Sequence, residues 1–110
     1  MKISINDTFN LELNTNEDNS TKMYGFSAYR PNGYSMPKGF ITSYYAHHYV
    51  KSGETHIEYS IQSPTGDSSD HFNYTIPCNS WNQAKWIVDQ HFNSVKYMLE
   101  TYNKIPLEVV

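Results

Sequence analysis

The chain has 110 residues, a formal net charge of −3 and 17% charged residues, enough for one domain that buries roughly two thirds of the surface its unfolded form exposes. Its eight basic residues are scattered from Lys2 to Lys104 without a cluster, which argues against direct nucleic-acid binding by phosphate neutralisation. No stretch approaches the roughly 18 apolar residues of a membrane span, residues 1–7 lack the apolar run of a signal peptide, and the single cysteine, Cys78, rules out an internal disulfide or a cysteine-rich metal site. The expectation is a soluble cytoplasmic protein with no membrane association and no cofactor.

From residue 3 to residue 13 the apolar side chains fall on odd positions, Ile3, Ile5, Phe9, Leu11 and Leu13, as in a half-buried strand. Asp7 interrupts that face, so the segment is either one strand with a bulge or a tight pair. Residues 14–22 contain no hydrophobe and read as an exposed loop. Alternation resumes over residues 23–30, with Tyr24, Phe26 and Ala28 on one face. Residues 30–39 then pack two prolines and two glycines around Asn32-Gly33, a turn signal, and carry Tyr34 and Met36 on a loop. That loop is either a contact surface or a long hairpin connection that tucks one side chain onto the sheet.

Residues 40–50 and 55–62 form the clearest hairpin, with Ser52-Gly53 as a two-residue turn. Pairing Lys51 with Glu54 sets Tyr44 opposite Ile61, Ala46 opposite Tyr59 and His48 opposite Ile57 on an apolar face. Tyr45, His47, Tyr49 and Lys51 then face Ser60, Glu58, His56 and Glu54 on the other. A polar turn leads to a fifth strand over residues 71–76, with Phe72, Tyr74 and Ile76 inward and Pro77 as its end. The same parity places His71 near Ser60 and Thr75 near His56. Cys78, at the strand-to-helix junction, reads as a structural thiol.

Residues 80–103 carry the one long 3.6-residue period. Ser80 and Gln83 have the spacing of a capping box. With Val88 at zero, Trp81, Ala84, His91, Phe92, Val95, Leu99 and Tyr102 fall within roughly 60°, a stripe that faces a core. Trp86 and Tyr97 project to roughly 160° and 180°, with Gln83, Gln90 and Asn93 around them. Two large aromatics toward water point to a partner. Three covers compete for them: a heterologous protein, a second copy, or the chain's own residues 104–110 or 14–22.

On the hairpin's outer face, His47, His56 and Glu58 are the residue types that hold zinc or iron, or that share a proton in acid–base work. Cross-strand His, Glu and Tyr pairs are also ordinary dressing of a solvated sheet face. No nucleotide-binding glycine loop, nucleophile turn, H-E-x-x-H helix or C-x-x-C pair occurs.

The expected architecture is α+β in a single domain: an antiparallel sheet of about five strands over residues 1–77, one long helix on one face, and a short tail over residues 104–110. The expected function is a small non-enzymatic protein-binding module that occludes a site on a larger protein. Its candidate contacts are Trp86, Tyr97, Gln90, Asn93, Tyr34, Met36, Tyr45 and Tyr49. Ten tyrosines, with frequent asparagine, favour an AT-rich coding sequence and so an inhibitor encoded by a phage or mobile element, acting in the host cytoplasm. The alternatives are a small hydrolase centred on His47, His56 and Glu58 and a self-assembling structural subunit.

Overall fold

A computed structural model describes residues 1–63 and 71–102. Among them, six strands form one antiparallel sheet in sequence order: β1 (Lys2–Ser4), β2 (Asn10–Glu17), β3 (Thr21–Tyr29), β4 (Ile41–Tyr49), β5 (Thr55–Gln62) and β6 (His71–Cys78). One helix, α1 (Trp81–Thr101), crosses one face of the sheet. The fold is α+β, as expected, with one strand more because residues 3–13 are a tight pair. Asn6 makes that turn: its Oδ1 accepts from the backbone N–H groups of Thr8 and Phe9, at 2.8 and 3.0 Å. Its Nδ2 donates to the Leu99 carbonyl near the end of α1, at 3.2 Å, tying the first turn of the sheet to the last turn of the helix.

The polar run at 14–22 is a hairpin rather than a loop, with Asn14 through Glu17 paired to Gly25 through Lys22. Only the turn between β2 and β3 is irregular, and the Asp18 carboxylate organises it, accepting from the backbone N–H groups of Ser20 and Thr21 at 2.8 Å each. These bonds hold the Asp18 carboxyl below its ordinary pKa. Backbone pairing and this turn define the strand ends without an apolar face.

The β4–β5 register differs by two residues from the expected one: Tyr44 pairs with Tyr59, Ala46 with Ile57, His47 with His56 and Tyr45 with Glu58. Both two-residue hairpin turns demand φ > 0 at their first central residue, which would be Ser52. The chain instead closes a four-residue loop by Tyr49 N–H to the Glu54 carbonyl and Gly53 N–H to the Tyr49 carbonyl, at 2.9 and 2.8 Å, with only Gly53 left-handed (φ 74°). A shift of two residues preserves sidedness, so the inward and outward sets stand as read. The β5–β6 register shifts likewise, setting His71 opposite Gln62 and Thr75 opposite Glu58. Pro77 lies within β6 rather than ending it, which an edge strand tolerates.

The core lies between α1 and the sheet. Ala84, Val88, Val95 and Leu99 are buried from the helix side, against Phe9, Leu11, Phe26, Tyr44, Ala46 and Ile57 from the strands. Met36 also belongs to it, at 6% exposure, so the 30–39 loop tucks this side chain inward. Tyr102 closes the end, its ring edge-on to Phe9 and Phe40 at 5.5 and 5.4 Å.

Candidate functional site

Helix α1 begins where its cap begins. Ser80 Oγ accepts from the Gln83 N–H at 3.0 Å, and Gln83 Oε1 accepts from the Asn79 N–H at 2.7 Å. With that start, Val88 sits in the core, and Trp86 and Tyr97 stand on the far side at 62% and 65% exposure. Gln90 and Asn93 are exposed as well. Eleven residues separate the two rings, roughly 16 Å along the axis. Among the described residues, neither ring stacks on an aromatic neighbour. The 14–22 segment is taken up in the sheet and does not cover them; the other intramolecular cover, residues 104–110, lies outside the described residues.

Two other expected contacts behave differently. Tyr34 is 69% exposed on its loop, whereas Met36 is a core residue and presents no contact surface. Tyr49 is exposed at the tip of β4, stacked on His56 at 5.8 Å. Tyr45 is half-buried, and its hydroxyl is committed: Asn14 Nδ2 donates to it at 2.9 Å and Ser27 Oγ shares a hydrogen bond with it at 2.8 Å.

The outer hairpin face does bring His47, His56 and Glu58 together. The two imidazoles stack with centroids 5.4 Å apart, and His56 Nε2 lies 3.0 Å from Glu58 Oε1. His47 Nε2 is farther from Glu58, at 3.8 Å, and His56 Nδ1 is 3.7 Å from Glu54 Oε1. Burial pulls the His47 pKa below its ordinary value, opposed by the Glu58 charge and reinforced by His56. Among the described residues, no group of three or more His, Cys, Asp or Glu side chains is placed to hold a metal ion. His71 is remote, since its partner Gln62 lies six residue steps along β5 from His56, roughly 20 Å. Beside the imidazoles an open depression of about 620 Å³ runs between Met23, Tyr45, Glu58 and Asn73.

On the helix side, His48 bonds Thr55 Oγ1 through Nδ1 at 2.7 Å and its ring lies 6.0 Å from Trp81. His91 stacks on Tyr44 at 4.4 Å. Its Nδ1 is 3.0 Å from the Ile87 carbonyl, so that nitrogen carries the proton and Nε2 is left to accept from the Tyr44 hydroxyl, a long contact of 3.5 Å. Burial, with Tyr59 and Cys78 adding to it, pushes the Tyr44 pKa up to about 12. The Cys78 thiol is half-buried and likewise raised by burial, as suits a structural cysteine.

A third surface was not foreseen. Phe72 and Tyr74 point to the helix side of the sheet but remain 42% and 44% exposed. Helix α1 packs mainly on β3 and β4, and a cylinder of about 10–12 Å cannot cover six strands spaced about 4.8 Å apart. Between α1 and β6 this leaves a concavity of about 470 Å³ lined by Tyr59, Ile61, Tyr74, Ile76, Ile87 and His91. Comparing strand count with helix width carries this signal in the sequence itself. No described helix is long and apolar enough to cross a membrane. No family model, curated protein or solved structure matches the chain.

Proposed function

We propose that this protein is a non-enzymatic protein-binding module that occludes a site on a larger protein through the outer face of α1. The observation that carries the reading is the exposure of Trp86 and Tyr97, 62% and 65%, on a helix whose opposite side buries Ala84, Val88, Val95 and Leu99 against the sheet. A Trp held on a rigid helix removes a large apolar area from water at small entropic cost. Gln90 and Asn93 stand on the same face and offer hydrogen bonds beside the rings. Affinity capture with the tagged protein in its native host supplies the partner, and the Trp86→Ala variant tests the surface. Loss of at least about 2 kcal/mol of binding is expected, with folding stability changed by no more than about 0.5 kcal/mol. Full binding by a folded Trp86→Ala, Tyr97→Ala double variant would sink the reading.

A further inference from the structure

Four rings stand in register across the helix side of the sheet, one per strand. Phe26 on β3 pairs with Tyr44 on β4, Tyr44 with Tyr59 on β5, and Tyr59 with Tyr74 on β6. Successive centroids are 5.9, 5.2 and 5.1 Å apart with interplanar angles of 15°, 27° and 24°, the spacing of offset-stacked rings. The ladder stops at Tyr74 because β6 is the last strand of the sheet among the described residues. Among the described residues that edge lacks the usual protections: β6 runs eight residues, from His71 to Cys78, without an Asp, Glu, Lys or Arg. Its one proline, Pro77, sits near the end. The opposite edge, β1, is three residues long and carries Lys2.

We infer that β6 pairs antiparallel with β6 of a second copy, with Tyr74 on the twofold axis. Two copies related by an axis perpendicular to the sheet keep the same face toward their helices, so directly opposed residues share parity. With Tyr74 opposite the second Tyr74, Phe72 faces Ile76 and Asn73 faces Thr75, which joins apolar to apolar on one side and amide to hydroxyl on the other. The ring ladder then continues through the axis. A register centred on Thr75 sets Tyr74 against Ile76 and breaks the ladder, and one centred on Asn73 sets Tyr74 against Phe72 and leaves no ring on the axis. Because α1 leans toward β3 and β4, neither helix obstructs the approach, and the two concavities beside β6 merge into one ring-lined trough. One strand edge buries less than the roughly 800 Å² per subunit of a standard interface, so the dimer is expected to dissociate in the micromolar range. This surface is separate from the Trp86 and Tyr97 face, and the two stand or fall independently.

Sedimentation of the full chain over a wide concentration range tests association, and cysteine crosslinking tests the register. Reversible dimerisation is expected, weakened at least tenfold by Tyr74→Lys in a protein with unchanged circular dichroism, and unaffected by Trp86→Ala. On a Cys78→Ser background, Tyr74→Cys places two thiols on opposed residues, with Cα atoms about 4.5–5.5 Å apart, within disulfide reach. Phe72→Cys places them four residues out of register and is expected to stay uncrosslinked under the same oxidant. A chain that is monomeric at every concentration, as when its own residues 103–110 occupy the edge, overturns the proposal. So does a dimer indifferent to Tyr74→Lys, or one that crosslinks through position 72 in preference to 74.

Discussion

The ring of Tyr45 lies against Gly25, its register partner on β3, so closely that a Cβ at position 25 would stand 2.4 Å from the ring Cδ1. The same Cβ would meet the Tyr44 carbonyl oxygen at 2.3 Å and the Tyr45 Cα at 2.6 Å. Both are backbone atoms, so no rotamer change relieves the clash. Gly25→Ala is therefore expected to destabilise the fold by at least about 2 kcal/mol through overpacking. At roughly 4–8 °C per kcal/mol for a domain near this size, the loss is readable as a lowered thermal midpoint.

What the sequence made legible was parity and angle. The period-2 pattern of residues 55–61 sent Ile57, Tyr59 and Ile61 inward, and the angular position of Trp86 and Tyr97 sent both rings outward. Registers were less legible, because they hinge on whether Ser52 accepts a positive φ, a cost that no hydrophobic pattern encodes. The β2–β3 hairpin was hidden because residues 14–17 of β2 carry no hydrophobe to answer Met23 and Tyr24 across the pair, so hydrophobic periodicity has nothing to report on that strand. Met36 reads as a loop residue because chain-local signals say nothing of a loop that folds back onto the core.

Asn6 serves two elements, so its variants separate the two roles. Asn6→Ala removes acceptor and donor together and is expected to cost about 1–3 kcal/mol, since part-buried N–H groups lose their partner. Asn6→Asp keeps the acceptor but loses the bond to the Leu99 carbonyl and sets a carboxylate against the negative end of the helix dipole. It is expected to be destabilising as well, more so at neutral than at acid pH. Chemical denaturation of the three proteins at both pH values checks this order.

Truncating the Ser80 side chain frees the Gln83 N–H at the start of α1, and Ser80→Ala is expected to cost about 1 kcal/mol. Ser80→Asp restores the acceptor and adds a charge favoured at a helix N-terminus. Its stability is expected at or above that of the parent. Urea midpoints for the pair decide it.

Acid should weaken the sheet through His47. The folded protein holds this imidazole below the ordinary 6.5, so the unfolded chain binds the proton more readily. The stabilisation is fully present above that value, falls as the pH drops through it, and levels off below the folded pKa. His47→Gln is expected to flatten this segment of the stability–pH curve. A titration of the His47 ring protons with a midpoint at or above 6.5 would contradict it.

Because α1 follows all six strands in the chain, the ribosome finishes the sheet before it makes the cover. At about 5–20 residues per second, the 21 residues of α1 take on the order of one to four seconds to synthesise. For that interval Phe9, Phe26, Tyr44 and Ile57 have no lid, and a nascent chain stalled before Trp81 offers chaperones the side of the sheet that the finished protein hides.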